Sequence, residues 1–444
     1  MGDDVRAVEP LAEPPDATVR VPGSKSLTNR ALVAAALASG TSTLEGALFA
    51  DDTEAMIAAL DALGLDLDAQ PERQRVVVTG CGGRVPDGPA HLDVRLSGTT
   101  ARFLAPLLAL GSGRYVLDAA GPFRARPMGT VLDAVARLGA TVEPLGRAGH
   151  LPAVIHADRA RGGRLEVAGD VSSQFLSGLL LAGPAMPDGL EVTLTTELVS
   201  APYVELTLGV MEAFGAAARR TDERTFEVPG DGYRATTYRV EPDASAATYL
   251  LAAAAITGGR VRVAGLTRHA TQGDAAFADV LAAMGAEVVR DAHGTEVVGT
   301  GRLHGVDVDL ADLSDTAQTL AAVAVFADSP TRVRGIGFIR RKETDRIHAV
   351  VTELRRCGIE AHEEDDGFVI HPGRPTPTVV ATYDDHRMAM SFALLGLVAP
   401  GIAIADPGCV AKTFPDYFEV LDALRGERPV TPQSTDPGAH GERP

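Results

Sequence analysis

Residues 21–37 read VPGSKSLTNRALVAAAL, a Pro-Gly turn followed by a polar, cationic stretch and then by an apolar helix. A serine on either side of Lys25 can cap that helix. Backbone N–H groups at a helix start attract anions, and Lys25 and Arg30 add two full positive charges. The four-residue spacer of a nucleotide-binding P-loop is missing. The stretch therefore indicates either an ordinary capped helix start or a site for a single phosphate group.

Lysine is rare in this chain, which marks its few lysines as candidates for special roles. The sequence holds 41 lysines and arginines, of which only Lys25, Lys342 and Lys412 are lysines. An ammonium group is a compact charge that can also release a proton, whereas a guanidinium group keeps its proton. We therefore expect the lysines to lie in a binding or proton-transfer site.

Composition limits the class of protein and its partners. With 444 residues, 45% hydrophobic content and 23% charged residues, the sequence predicts a soluble globular protein of about two domains. The net charge of −18 argues against nucleic acid and anionic membranes as partners, because both require a basic surface. An anionic substrate would need cations gathered locally.

Cysteine usage and the termini predict the compartment. Cys81, Cys357 and Cys409 are far apart and odd in number, so we expect no disulfide framework and a reducing cytoplasm. The N-terminus lacks an apolar targeting segment, and no apolar run approaches about 18 residues. Residues 429–444 are rich in proline, glycine and polar residues, which predicts a disordered tail. We also expect a monomer, because the repeated units of this chain bury their apolar helices against one another.

One pattern recurs six times along the chain: a polar turn, an apolar helix, a glycine, a β-rich run, a second turn and an amphipathic helix. The apolar helices start near residues 25, 98, 173, 244, 315 and 385, a period of about 70 to 75 residues. They lack a polar face and must be buried, whereas the amphipathic helices face solvent. We therefore predict an α/β fold of two domains, each with three repeated units, buried helices and outer sheets. The turns that start the buried helices would meet in the interdomain cleft, where a small-molecule site is expected.

Five arginines lie at these inward-facing turns, in addition to Lys25 and Lys412. Singly, each arginine is most often a surface charge or an ion-pair member, Arg124 above all. Together they suit two phosphate-bearing substrates, or a phosphate and a carboxylate, which guanidinium groups bind through paired donors. The arginines are Arg102, Arg124, Arg126, Arg346 and Arg387.

Candidate acid–base groups lie beside the cations. Asp315 opens the fifth apolar helix, where it can cap the helix, act as a general base, or do both. Lys342 and Arg346 are spaced to share a helical face, and Glu343 would then reach a reacting centre beside Lys342. His386 is either an orienting or proton-handling residue or a satisfied structural histidine. The acidic run HEEDD at 362–366 predicts an exposed hairpin turn, and no spacing predicts a metal site.

Eight motifs stand in order along the chain: PGSKSLTNRAL, SGTTARFLAPL, GPFRARPMG, SSQFLSGLL, SAPYVELT, KETDR, YDDHRMAM and DPGCVAKTFPDYFE. They resemble the motifs of the 5-enolpyruvylshikimate-3-phosphate (EPSP) synthase family, the 3-phosphoshikimate 1-carboxyvinyltransferases of the shikimate pathway. The resemblance runs from about Pro22 to Leu424. It implies an inverse α/β barrel whose first domain, residues 21–235, is inserted into a second domain of residues 1–20 plus 236–428.

The resemblance also implies a reaction and its residues. The enolpyruvyl group of phosphoenolpyruvate would pass to the 5-hydroxyl of shikimate 3-phosphate, without metal or organic cofactor. The implied catalytic residues are Asp315 as the base and Lys25, Lys342 or Glu343 as the proton donor. His386 is a further catalytic candidate. The residues implied for shikimate 3-phosphate are Lys25, Ser26, Arg30, Ser172, Ser173, Gln174, Ser200, Tyr203, Asp315 and Lys342. Those implied for phosphoenolpyruvate are Lys25, Gly98, Arg126, Gln174, Arg346, Arg387 and Lys412.

Two positions depart from the family pattern and keep other functions open. Leu96 and Phe338 stand where asparagine is common, and each lost neutral hydrogen bond is worth about 0.5–1.5 kcal/mol. A paralogue that uses a modified cyclic acceptor is therefore one alternative. A second is the enolpyruvyl transferase acting on UDP-N-acetylglucosamine, although Cys81 lies away from the GPFRARP turn. A third is a non-catalytic phosphometabolite-binding protein, which would lack an acid–base residue such as Asp315.

Overall fold

The computed structural model describes residues 4–426, so the predicted tail at 429–444 lies outside the described residues. In this part of the chain no helix is long and apolar enough to span a membrane. Twelve α-helices are described. In chain order they are α1 Lys25–Leu37, α2 Asp51–Ala62, α3 Gly98–Ala109, α4 Gly129–Arg137, α5 Ser173–Ala182, α6 Pro202–Ala213, α7 Ala244–Thr257, α8 Phe277–Ala283, α9 Ala317–Ala324, α10 Arg346–Arg356, α11 His386–Gly396 and α12 Tyr417–Ala423.

Twenty-four strands accompany these helices within residues 4–426. In chain order they are β1 Val5–Val8, β2 Asp16–Val19, β3 Ala38–Glu45, β4 Asp66–Gln70, β5 Arg75–Cys81, β6 Ala90–Asp93, β7 Ser112–Asp118, β8 Thr141–Pro144, β9 Ala153–Asp158, β10 Gly163–Val167, β11 Leu190–Leu194, β12 Arg219–Arg220, β13 Thr225–Val228, β14 Tyr233–Arg234, β15 Thr237–Arg239, β16 Arg260–Ala264, β17 Glu287–Arg290, β18 Gly294–Val298, β19 Asp307–Asp309, β20 Thr331–Arg334, β21 Ala361–Glu364, β22 Gly367–Ile370, β23 Thr378–Val380 and β24 Ile402–Ala405.

The strands form six small sheets within residues 4–426, and each sheet combines parallel with antiparallel pairing. Five of the sheets hold one parallel pair, and the sixth holds two, because β14 and β15 both pair with β3 in parallel. In β6-β7-β9-β8, for example, β6 and β7 are parallel and enclose α3 in the sequence, while β9 and β8 complete the sheet in antiparallel fashion. A parallel pair needs a crossover connection, and the buried helix supplies it.

The apolar helices are buried as their composition requires. Every residue of α3 is buried, and α1, α5, α7, α9 and α11 are buried over most of their length. The alternate helices bury one face; α10, for example, buries Ile347, Val350, Val351 and Leu354 and exposes His348, Arg355 and Arg356. All six apolar helices start within two residues of the predicted positions.

Two hydrophobic clusters divide the described residues. One runs from Leu27 to Val240, and the other joins Val8 to residues 244–424. The N-terminal strands belong with the second cluster, because β1 pairs with β24 and β2 pairs with β16. Conversely, β15 pairs with β3 of the first cluster, so strand pairing ties the chain to the first cluster up to Arg239.

The chain crosses from one hydrophobic cluster to the other twice, and the two crossing segments, at residues 22–24 and 241–243, lie side by side. Ser24 N donates to Glu241 O and Asp243 N donates to Pro22 O, both at 2.8 Å, and Gly23 forms an antiparallel bridge with Pro242. A Cβ on Gly23 would overlap the backbone carbonyl of Gly46, so only glycine fits there. The two crossing segments are therefore locked to each other by backbone hydrogen bonds.

Two local predictions met different outcomes. The hairpin prediction is confirmed, because β21 and β22 flank a turn at residues 365–366. The hairpin also places side-chain nitrogen and oxygen atoms of Glu360, His362 and His371 within 4.8 Å of one another on its surface. The linear sequence does not show this grouping. The prediction that Lys342 and Arg346 share a helical face is wrong, because α10 begins only at Arg346, after an N-cap at residue 345.

Candidate active site

A cavity lies between the two clusters, where the starts of the buried helices converge. The space between its lining atoms is about 800 Å³, including the mouth that opens to solvent. The lining comprises Lys25, Ser26, Thr99, Arg102, Arg126, Pro127, Val171, Ser172, Ser173, Gln174, Val199, Ser200, Tyr203, Asp315, Phe338, Arg341, Lys342, Glu343, Arg346, His386 and Arg387.

Asp315 is the carboxylate on which the cations converge. Its oxygens lie 2.7 Å from Lys342 Nζ, 3.1 Å from Arg346 Nη1 and 2.6 Å from Arg387 Nη2. Burial raises the pKa of Asp315, but Arg387, Lys342 and Arg346 lower it well below its usual value. The helix-cap interpretation is wrong, because the side chain makes no capping bond to α9. Asp315 is thus held ionised, as a base must be.

Arg346 and Glu343 extend this charge cluster. Arg346 is 2% exposed; its Nε donates to Asp385 Oδ2 at 2.7 Å and its Nη2 donates to Glu343 Oε2 at 2.8 Å. Arg126 Nη1 lies 3.4 Å from Glu343 Oε1. Burial raises the pKa of Glu343, but Arg346, Arg126 and Lys412 bring it well below its usual value. Glu343 is therefore ionised in this arrangement.

Lys25 and Lys412 meet at a carboxylate that sequence reasoning missed. Asp52, in the first turn of α2, lies 3.3 Å from Lys25 Nζ and 3.2 Å from Lys412 Nζ. Lys412 Nζ also donates to the carbonyl of Leu96 at 3.0 Å, which joins the second cluster to the first. Asp52 could not be singled out from the sequence, because acidic residues are common in a first helical turn.

Arg102 and Arg126 supply cations on the first-cluster side of the cavity. Arg102 Nη1 donates to Gln174 Oε1 at 2.6 Å, and its guanidinium lies over the rings of Phe123 and Phe175. Burial, together with the charge of Arg126, lowers the pKa of Arg102 to about 9. Within residues 4–426, the Nε atoms of both arginines have no hydrogen-bond partner. Such under-paired cations are suited to bind an anion.

Hydroxyl and amide groups line the wall beside these cations. Ser172 caps α5 and accepts from Gln174 N at 3.3 Å, which fixes the turn that carries Ser173. Ser200 has φ of 54°, an uncommon backbone conformation of the kind that clusters at functional sites. Tyr203 donates from its hydroxyl to Asp315 Oδ2 at 3.2 Å across the cleft. The cavity thus offers anion-binding cations, polar contacts for hydroxyl groups and two ionised carboxylates, Asp315 and Glu343.

Comparison with known proteins identifies the family of this chain. A sequence model of the family described as EPSP synthase (3-phosphoshikimate 1-carboxyvinyltransferase) matches residues 12–421. The chain belongs to the EPSP synthase family. A relative from Nostoc sp., named 3-phosphoshikimate 1-carboxyvinyltransferase, is 46% identical over 416 residues, which cover 94% of this chain and 98% of the relative.

Solved structures agree with membership of the EPSP synthase family. The EPSP synthase from Acinetobacter baumannii matches with a TM-score of 0.80 at 25% identity, covering 95% of this chain and 98% of that one. The enolpyruvyl transferase NikO from Streptomyces tendae matches with a TM-score of 0.75, covering the same shares of the two chains. Its 19% identity shows a common fold alone.

Most residues implied by the EPSP synthase resemblance line the cavity, but three do not. Arg30 is buried; it donates from Nε to Thr207 Oγ1 at 2.8 Å and from Nη2 to the Tyr203 carbonyl at 3.0 Å. Gly98 lies behind Arg102, and Lys412 is held by its contacts across the cleft. Arg30 therefore supports the segment that carries Tyr203 rather than the cavity surface.

His386 lines the cavity in a neutral form. Burial, with Arg387, Lys25 and Lys412, lowers its pKa well below the usual value. Neither ring nitrogen has a hydrogen-bond partner within the described residues. The interpretation as a satisfied structural histidine is therefore wrong.

Of the remaining residues singled out from the sequence, only Phe338 lines the cavity. Arg124 pairs on the surface with Asp118 at 2.9 Å, as expected for an ordinary ion pair. Phe338, one of the departures from the EPSP synthase pattern, does line the cavity, with its ring 5.5 Å from Lys342 Nζ. Leu96, the other departure, contributes its backbone carbonyl, and its side chain is 43% exposed. Cys81 is a free cysteine at the end of β5, away from the lining.

Proposed function

We propose that this chain transfers the enolpyruvyl group of phosphoenolpyruvate to the 5-hydroxyl of shikimate 3-phosphate and releases inorganic phosphate, a step of chorismate and aromatic amino-acid biosynthesis. The observation that carries this proposal is an ionised carboxylate, Asp315, on which Lys342, Arg346 and Arg387 converge in a cavity rich in cations. Membership of the EPSP synthase family supports the same reaction.

The hydroxyl-rich wall suits the acceptor, shikimate 3-phosphate. Ser172, Ser173 and Ser200 present hydroxyl groups within the cavity, and Gln174 adds an amide. Lys25 and Ser26 stand at the start of α1, where N–H groups and the helix dipole favour a phosphate or carboxylate. The 5-hydroxyl of a sugar-like ring held on this wall would face Asp315, which Tyr203 already reaches at 3.2 Å.

The arginines suit the donor, phosphoenolpyruvate, which carries a phosphate and a carboxylate. Arg126 and Arg346 bind Glu343, and Arg387 binds Asp315, so each of these guanidinium groups already accommodates a carboxylate oxygen. Guanidinium groups bind phosphate and carboxylate with paired hydrogen bonds. Lys412 would contribute by turning from Asp52, with which it makes a 3.2 Å contact.

The charge cluster supports an addition–elimination mechanism. Asp315 takes the proton of the 5-hydroxyl as the oxygen attacks the enol carbon, and a proton is added to the methylene carbon. When the donor takes Arg126 and Arg346, Glu343 loses its two nearest cations and its pKa rises, so Glu343 becomes able to give that proton. Lys342 and Lys25 are the other proton-donor candidates. Phosphate then leaves from the tetrahedral intermediate while the group that gave the proton takes one back from the new methyl carbon, which restores the enol double bond; the cations stabilise the moving charge.

The proposed architecture is the inverse α/β barrel of the EPSP synthase family, with the first domain inserted into the second. The two hydrophobic clusters and the pairing of β1 and β2 with C-terminal strands support a second domain that includes residues 1–20. Pairing of β15 with β3 favours a first domain that extends to Arg239, slightly beyond residue 235. A monomer in the cytoplasm stays our prediction.

The reaction is tested by phosphate release from phosphoenolpyruvate, with and without shikimate 3-phosphate. We expect release only when both substrates are present. Lys25→Ala should lower kcat/KM about 10- to 100-fold, because a hydrogen bond to a charged group is worth about 1.5–3 kcal/mol. Arg124→Ala, which removes a cation outside the cavity, is the matched control and should leave the rate unchanged.

The same assay separates the alternatives. Binding of phosphoenolpyruvate without release would indicate a paralogue with another acceptor, and Phe338 in the cavity lining is the feature that favours this second candidate. Binding of both substrates without release would instead indicate a non-catalytic protein.

Gly98→Ala should weaken the donor site. A Cβ on Gly98 would lie 2.7 Å from Arg102 Nη1, so the Arg102 guanidinium must shift, and 3.4 Å from Arg126 Nη2, in van der Waals contact with the guanidinium beside it. We expect the KM for phosphoenolpyruvate to rise about tenfold, roughly the loss of one charged hydrogen bond, while the KM for shikimate 3-phosphate stays the same. Steady-state kinetics with each substrate varied in turn measures the effect, and an equal rise in both KM values would contradict it.

A further inference from the structure

A second buried carboxylate lies behind Tyr203, outside the cavity that holds Asp315. Asp274 is 4% exposed and lies in a short 3-10 turn, Gly273–Ala276. This turn is pressed against the start of α6, since a Cβ on Gly273 would lie 2.8 Å from Pro202 Cβ. Asp274 lines a small neighbouring cavity that shares Ser26 and Tyr203 with the larger one. The proposed reaction assigns no role to the Asp274 carboxylate.

The Tyr203 hydroxyl stands between the two carboxylates. It lies 3.2 Å from Asp315 Oδ2 and 3.5 Å from Asp274 Oδ2. A phenol has one hydrogen, so it donates to one carboxylate and accepts from the other if that one is protonated. Asp274 Oδ2 also accepts from Ser245, and Asp274 Oδ1 has no partner among residues 4–426. The contacts therefore form a continuous path from Asp315 to Asp274.

The two carboxylates differ in the charges that face them. Asp315 is bound by Lys342, Arg346 and Arg387, whereas no lysine or arginine within residues 4–426 bonds to Asp274. Burial, together with the charges of Asp315 and Asp243, raises the pKa of Asp274 to about 6, a net value that includes the opposing effects of Arg387 and Ser245. A proton shared by the pair therefore rests on Asp274.

We propose that Asp274 stores the proton that Asp315 removes from the acceptor hydroxyl. The acceptor O–H bond breaks and an O–H bond forms on Asp315. That proton then passes to the Tyr203 oxygen while the hydrogen of Tyr203 passes to Asp274 Oδ2. The result is an ionised Asp315, an intact phenol and a neutral Asp274. When phosphate leaves, the reverse transfers bring the proton back to Asp315, which gives it to an oxygen of the departing phosphate. This assignment rests on the proposed function and makes Asp274 a positioning residue that acts through Tyr203.

The pH dependence of kcat tests the assignment with Asp274→Asn, which keeps the shape of the side chain. In the wild type, kcat should fall below about pH 6 as solvent protons fill Asp274. The variant should lose about tenfold in kcat at neutral pH and should no longer show that fall, with the KM for shikimate 3-phosphate unchanged. Asp312→Asn removes an exposed carboxylate of the same segment as Asp315 and should behave as wild type.

Two outcomes would overturn the assignment. One is a variant with the wild-type profile; the other is a variant that loses rate but keeps the acid fall, which indicates a purely structural role. Infrared titration of the substrate-free protein gives an independent reading: a carboxylic-acid band should appear near pH 6 in the wild type and be absent from Asp274→Asn. Because this band needs no turnover, a wild type that is inactive yet shows it would count against the proposed function and not against the titration of Asp274.

Discussion

Asp315→Asn is expected to lower kcat by about 10²- to 10⁴-fold, the usual contribution of general acid–base catalysis. An amide has nearly the same shape as the carboxylate but does not take the proton of the 5-hydroxyl. Anion binding should not weaken, because Lys342, Arg346 and Arg387 lose a negative partner and keep their charges. Phosphate release measures the rate, and calorimetry with shikimate 3-phosphate measures binding.

Asp312→Asn again provides the control for the loss of one carboxylate from this segment. Unchanged turnover in Asp315→Asn would refute its role as base. A large loss of shikimate 3-phosphate affinity would show that Asp315 mainly binds the acceptor.

Arg346→Met should produce the largest loss of stability among single substitutions in the cavity. Arg346 is 2% exposed and bonds to Asp385, Glu343 and Asp315, so its removal leaves three carboxylates without a shared cation. Removing one partner of a buried charge pair typically costs about 3–5 kcal/mol. We expect a clearly lower midpoint of urea unfolding by far-ultraviolet circular dichroism and no measurable phosphate release.

Arg219→Met is the matched control for Arg346→Met. Arg219 is 72% exposed and pairs with Glu227 on the surface, where an ion pair contributes little. An unfolding midpoint for Arg346→Met no lower than that of Arg219→Met would show that the carboxylates find other partners or become protonated without cost.

The apolar helices could be located from sequence because their signal is local. A helix such as α3, apolar on every face, has no stable place except a core, and the glycines and caps around it mark its ends. The lining of the cavity was largely predictable for the same reason, since residues at the starts of buried helices must face the centre.

Contacts between distant segments were not predictable. Arg30 stands in the second turn of α1, five residues after Lys25, and its local sequence does not indicate that its guanidinium bonds to Thr207 and the Tyr203 carbonyl. Asp52 likewise looks like an ordinary first-turn acid, although it binds lysines from both sides of the cleft. Long side chains can point in several directions, and the choice depends on partners more than 150 residues away in the case of Arg30 and Thr207.

The paired crossing segments at Gly23 and Pro242 also bear on how the chain acquires its fold during synthesis. Strands β1 and β2 emerge first but find their partners, β24 and β16, only after the intervening residues have been made. The residues between the crossings form one long loop with adjacent ends, and loop-closure entropy grows by only about 0.6 kcal/mol for each doubling of loop length. The residues between the crossings can therefore fold on the ribosome before β1 and β2 are paired. Strand β2 can pair once β16 has been made, whereas β1 pairs only after β24, near the end of the described residues.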